Sequence, residues 1–199
     1  MRVFDFFSGC GGTSLGFQQF GFDIVGALDF DKHAANTYRH NFPDTVFFET
    51  DIRLLTVDAI SSLISNRDEP LLFCGCAPCQ PFSRQRKILP KNDVRKNLLQ
   101  EFQRFVEYWQ PEYIFLENVP GIQKINASDG VFKAFVKSLN AMQYAFDYAV
   151  VKATEFGVPQ TRKRLVLVAA KNKSSLKNID DVIGASNMKP KSVRDCIED

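Results

Sequence analysis

Apolar residues in this chain gather into short runs, and the stretches between them carry helical spacing. Seven runs read as strands: Val3–Phe7, Ile24–Leu28, Val46–Phe48, Leu71–Cys74, Tyr113–Leu116, Tyr148–Lys152 and Arg164–Ala169. Helical patterns lie at Thr13–Phe20, Lys32–Asn41, Val57–Ser65, Leu98–Trp109 and Val131–Met142. Strands alternating with helices of this length predict parallel βαβ units, with helices on both faces of one sheet. No internal repeat or low-complexity tract interrupts the pattern. After Ala170 the chain turns polar, with Lys171-Asn172-Lys173-Ser174-Ser175, and no further strong strand follows. Residues 1–170 therefore read as one domain and residues 171–199 as a linker, whose tail from Ser192 to Asp199 reads as the start of another element.

Composition narrows the class. A chain of 199 residues is long enough to bury roughly 70% of its unfolded surface in one domain. Its 45% hydrophobic and 24% charged content is that of a globular protein, and its 19 phenylalanines predict a Phe-rich core. A net charge of +2 does not announce a nucleic-acid partner, so basic groups for such a partner must be clustered or supplied by another segment. The N-terminal apolar stretch is too short for a signal peptide, and no run approaches a membrane span. Five cysteines, an odd number without a secretory signal, predict a reduced, cytoplasmic setting.

Three segments carry candidate chemistry. Asp5-Phe6-Phe7-Ser8-Gly9-Cys10-Gly11-Gly12 joins the first strand to a helix, where glycines permit a tight turn and close approach to a ligand. Asp29 ends the second strand, the place for a ribose acceptor; Phe30 beside it can cover an adenine face. Asp51 follows the third strand and can accept from an adenine amino group. The plainer alternative is a β–α turn with Asp29 or Asp31 as a helix cap. Gly75-Cys76-Ala77-Pro78-Cys79-Gln80-Pro81-Phe82-Ser83 places a thiol, Cys79, where a parallel strand opens into its crevice. With histidines only at 33 and 40, in an early helix, a zinc cluster with Cys74, Cys76 and Cys79 is disfavoured; Cys74 and Cys76 read as small buried hydrophobes. Glu117 and Asn118 end the fifth strand, expected beside the fourth. A thiol and a carboxylic acid at one crevice suit attack on a ring carbon with protonation of a ring nitrogen. Arg162 and Arg164 share one side of an extended segment, able to hold a phosphate and a pyrimidine carbonyl or to form a solvated basic strand end.

Pro-Cys-Gln-x-Phe-Ser, Glu-Asn-Val and Gln-x-Arg-x-Arg, in this order after the glycine loop, resemble the DNA (cytosine-5) methyltransferase family, from Arg2 to about Ala170. The resemblance implies an α/β fold, a doubly wound, mostly parallel Rossmann-like sheet of the S-adenosylmethionine-dependent methyltransferase type. It implies S-adenosylmethionine at Phe7, Ser8, Gly9, Gly11, Gly12, Asp29, Phe30, Asp51, Ile52, Pro78 and Leu98, with no metal. It makes Cys79 the nucleophile, Glu117 the acid at the target base, and Arg162 and Arg164 the arginines at the flipped nucleotide. Gln80, Ser83, Asn118 and Gln160 fall on substrate-side or supporting positions. The basic stretch Ser83 to Asn97 matches a loop that closes over double-stranded DNA. The implied chemistry is addition of the Cys79 thiolate to C6 of a flipped-out cytosine, methylation at C5, and release.

Family members continue into a target-recognition domain and two final motifs, one of which completes the cofactor pocket. The chain reaches none of these, which implies a fragment or one subunit of an enzyme split between two polypeptides. The family resemblance also implies a bacterial restriction-modification setting, with transfer-RNA methylation or a catalytically inactive partner as alternatives.

Overall fold

The computed structural model describes residues 1–66, 68–78, 98–122, 130–186, 189 and 191–197. Seven strands form one sheet: β1 (Arg2–Phe6), β2 (Asp23–Asp29), β3 (Val46–Glu49), β4 (Leu71–Gly75), β5 (Tyr113–Asn118), β6 (Ala145–Lys152) and β7 (Lys163–Ala170), in the order β3-β2-β1-β4-β5-β7-β6. β1 pairs in parallel with both β2 and β4, and β4 in parallel with β5. β7 runs antiparallel to both its neighbours. The last two strands thus form an antiparallel hairpin-like edge on a parallel sheet. Seven α-helices accompany them among the described residues: α1 (Gly12–Gln19), α2 (Lys32–Asn41), α3 (Ser61–Ile64), α4 (Leu98–Trp109), α5 (Val131–Ala141), α6 (Ile179–Ser186) and α7 (Arg194–Ile197).

The order reverses between β1 and β4. In an open α/β sheet, a ligand crevice lies beyond the carboxyl ends of the strands at such a switch point. The alternation along β1 explains how the two faces differ. Phe4 and Phe6 point to one face, where ring centroids of Phe73, Phe102 and Phe105 lie 5.0–5.3 Å from that of Phe6. α4 supplies two of these rings because Leu98, Leu99, Phe102, Phe105 and Val106 recur at helical spacing on its buried side. Val3 belongs to a second apolar cluster with Ile24, Leu72 and Cys74, against which Phe17 of α1 packs.

Beyond Ala170 the chain returns to the sheet. Ile179 of α6 is buried, and its amide donates to Asp147 Oδ2 of β6 at 2.7 Å. On this face a groove of about 780 Å³ opens between α1 and α6. Phe17, Leu72, Phe115, Val166, Val168 and Val182 are among the residues lining it. No helix among the described residues is long and apolar enough to cross a membrane.

Candidate active site

The carboxyl ends of β1, β2 and β3 and the start of α4 enclose a cavity of about 290 Å³. Its wall is Phe7, Leu28, Asp29, Phe30, Thr50, Asp51, Ile52, Arg53, Pro78 and Leu98. The structure therefore brings together Phe7, Asp29, Phe30, Asp51, Ile52, Pro78 and Leu98 from five separate parts of the sequence. Ser8, Gly9, Gly11 and Gly12 do not line the cavity; they shape the loop behind it. Arg53, Thr50 and Leu28 are wall residues that sequence reasoning missed. All three are chain neighbours of predicted residues, Asp51, Ile52 and Asp29, and that adjacency is the signal they offered.

The loop after β1 is set by hydrogen bonds. Ser8 is buried and its amide donates to the Leu28 carbonyl at 3.0 Å. Gly9 N donates to Asp29 Oδ2 at 2.9 Å, and Gly11 N donates to the Ser8 carbonyl at 3.0 Å. Phe7 takes φ 61°, Gly9 54° and Gly11 93°, so three left-handed residues turn the chain from strand to helix. Gly11 is also pressed against aromatic rings: a Cβ there would lie 2.4 Å from Phe42.

Asp29 holds this loop and the next one. Its Oδ1 accepts from the Asp31 amide at 2.9 Å, while Asp31 caps α2 by accepting from His33 N and Ala34 N. The capping role thus belongs to Asp31. Asp51 is engaged by Arg53, whose Nε donates to Oδ1 at 2.9 Å and whose amide donates to the same oxygen at 3.0 Å. The guanidinium holds the Asp51 carboxyl below the usual carboxylate range. Arg104 of α4 donates to the Ile52 and Leu55 carbonyls at 3.0 Å, fixing the segment that presents Asp51.

A second group of side chains stands at the end of β5. β4 and β5 are adjacent, with Gly75 opposite Leu116 in the register. Glu117 Oε1 lies 2.7 Å from Arg164 Nε and 3.7 Å from Arg162. The two arginines do share a side, and what they share is this carboxylate, a pairing that the two-residue spacing alone did not specify. Asn118 is buried; its Nδ2 donates to the Ala77 carbonyl at 3.2 Å and its Oδ1 accepts from the Val119 amide at 2.8 Å. That amide ties the end of β5 to the segment leading out of β4. Gln160 is exposed, and its amide donates to the Val158 carbonyl at 2.8 Å. Cys74 is buried, and burial pushes its thiol well up. Cys76 is only half-buried, with its sulfur 3.6 Å from the Thr13 hydroxyl. Cys79, Gln80 and Ser83, and the Ser83 to Asn97 stretch, lie outside the described residues.

The family model for C-5 cytosine-specific DNA methylases matches residues 1–199. The chain belongs to that family. Within the methylase family it is 36% identical over 169 residues to the Type II methylase M.HgiDII of Herpetosiphon aurantiacus, covering 85% of this chain and 47% of that protein. It is 34% identical over 204 residues to the Type II methyltransferase M.AquIA of Picosynechococcus, covering 94% of this chain and 78% of that protein. A solved structure of a prophage-encoded E. coli protein, described as a DNA modification methyltransferase, superposes with a TM-score of 0.83 at 34% identity. That superposition covers all of this chain and 54% of the other. This methylase-family chain thus carries the doubly wound fold of the S-adenosylmethionine-dependent methyltransferases, and it spans about half the length of M.HgiDII.

Proposed function

We propose that this chain is the catalytic part of an enzyme that methylates C5 of cytosine in double-stranded DNA, within a restriction-modification system. The observation that carries the reading is the cavity at the switch point, whose wall gathers the family's cofactor positions and ends at Pro78, the residue before Cys79 in the sequence.

The cavity fits S-adenosylmethionine by the chemistry of its wall. Phe7, Leu28, Phe30, Ile52, Pro78 and Leu98 offer apolar surface for a purine, and Asp29 and Asp51 add two carboxylates. Each Asp29 oxygen accepts one backbone amide, which leaves further lone pairs for a ribose diol. Asp51, once Arg53 shifts aside, accepts from an exocyclic amine. When bound, S-adenosylmethionine supplies the electrophilic methyl group that C5 receives.

The chain's own residues do the rest. Cys79 adds its thiolate to C6 of a cytosine drawn out of the duplex, because C6 is out of reach in the stack. Glu117, in its acid form, gives a proton to N3 as the C6–S bond forms, so electron density builds at C5, and takes that proton back when the ring is restored. Arg164 and Arg162 fix the Glu117 carboxyl in place and neutralise its surroundings. A base then takes the C5 proton, the electron pair left behind re-forms the C5–C6 double bond, and the C6–S bond breaks to release Cys79 as the thiolate.

The groove between α1 and α6, which Arg162 and Arg164 also line, supports a further part of the same reading. It is walled by side chains such as Phe17, Phe115, Val166 and Val168. An apolar patch of this kind marks an interaction surface. In this reading it receives a further segment of the protein or a second polypeptide, which also brings target recognition. The test is methyl transfer from tritiated S-adenosylmethionine to duplex DNA, by this chain together with its completing segment. Label recovered as 5-methylcytosine is the expected result. Label in another base, or in transfer RNA alone, would contradict it.

A further inference from the structure

We propose that Asp5, Ser14 and Tyr38 form a buried positioning device beneath the glycine loop, with Asp5 acting as a neutral acid that keeps the loop in its cofactor-accepting shape. The proposal rests on the reading of that loop as part of the cofactor site.

Three polar side chains from three elements meet out of contact with solvent. Asp5 of β1, Ser14 of α1 and Tyr38 of α2 are all fully buried. Ser14 Oγ donates to Asp5 Oδ2 at 2.7 Å and lies 2.8 Å from the Tyr38 hydroxyl. The Phe7–Gly11 connection lies between Asp5 and Ser14 in the chain, so their hydrogen bond closes the base of the loop. Tyr38 supports the loop from below. Its ring stacks on Phe42 with centroids 4.7 Å apart, and a Cβ on Gly11 would lie 3.1 Å from the Tyr38 ring. None of the three residues lines the cofactor cavity. They act through the loop and are positioning residues.

The network lacks a counter-charge. Asp5 Oδ1 has no hydrogen-bond partner among the described residues. The groups that act on this carboxyl are Ser14 from α1, the Cys74 thiol from β4 and the Asp29 carboxylate from β2; Tyr38 from α2 faces it, and Cys76 lies behind Cys74. None is a cation. An isolated carboxylate in such a place is strongly disfavoured against the neutral acid. Burial accordingly raises the Asp5 carboxyl to about 7. A released loop would return the carboxyl to the ordinary carboxylate range, so the hold is fully present below that range and is lost progressively as pH rises to about 7. Above it a negative charge develops beneath the loop, near the Asp29 carboxylate that fixes Gly9. Water must then reach Asp5, and the link to Ser14 loosens.

Asp5→Asn keeps the shape of the acid and cannot ionise. Two readouts on the 199-residue chain test the device: calorimetric binding of S-adenosylhomocysteine from pH 6.5 to 8.5, and ligand-free hydrogen exchange at the Gly9 and Gly11 amides. In the native chain, affinity and corrected exchange protection are expected to fall about fourfold across this range and to level off at its upper end, because release costs a proton only while the held acid is still protonated. In Asp5→Asn both stay level. Tyr38→Phe, which keeps the ring and removes only the hydroxyl, is expected to lower protection at Gly9 and Gly11 at every pH. Parallel pH curves for the native and Asp5→Asn chains, or undiminished protection in Tyr38→Phe, would overturn the proposal. If neither chain bound S-adenosylhomocysteine while the Asp5-dependent step in exchange persisted, the cofactor reading would fail and the device would stand.

Discussion

At the scale of single residues, the site is built from carboxylates that already hold backbone. Asp29 accepts amides from Gly9 and Asp31, so it fixes two loops before any ligand arrives. In the proposed function it also accepts a ribose hydroxyl, and removing it leaves buried donors unmet. Asp29→Ala is therefore expected to weaken S-adenosylhomocysteine binding by about 1–3 kcal/mol, or roughly 5- to 150-fold, in calorimetry. Circular dichroism of the variant should match the parent. Unchanged affinity would remove Asp29 from the cofactor site. Much of this level was legible in the sequence because strand ends and glycine turns have fixed chemical uses. Arg53 was not legible: nothing in its spacing says that it folds back on Asp51. The Glu117 pairing with both arginines was also hidden, because β5 and β7 become neighbours only through the sheet.

At the scale of elements, the hydrophobic pattern located all seven strands to within a few residues, and α2 and α4 at their observed bounds. Short β-branched and aromatic runs between helical periods leave little ambiguity. The reversed direction of β7 was not readable, since an apolar run carries no sign of its direction. The pattern at Val57–Ser65 resolves into a 3₁₀ turn, Val57–Ile60, followed by α3. The Trp109 indole donates to the Val57 carbonyl at 2.7 Å, a tertiary contact made by this turn that no local rule foresees. Asn118 is the link between elements most exposed to test. It bridges the end of β5 to Ala77 from full burial. Asn118→Ala leaves the Ala77 carbonyl without this donor and should cost about 1–3 kcal/mol in urea unfolding. A loss within experimental error would show that the bridge contributes nothing to stability.

At the scale of the whole molecule, the sheet is covered by helices on the side of α4 and α5 and left partly open between α1 and α6. The groove there is apolar, and the proposed function assigns it to a further segment or second chain. Without that cover the 199-residue chain should self-associate at micromolar concentration in sedimentation, and Val168→Asp should restore a monomer. It should also methylate DNA poorly and without sequence preference. A parent chain that stays monomeric would remove the groove as an interface. The central claim, covalent methyl transfer to cytosine C5, is tested most directly by trapping. The chain, joined to its completing segment, is offered duplex DNA with 5-fluorocytosine at the target and S-adenosylmethionine. Fluorine cannot leave as a proton does, so the Cys79 adduct should persist as a denaturant-resistant band, absent in Cys79→Ser. A Cys79→Ser protein that still trapped the DNA covalently would contradict the account.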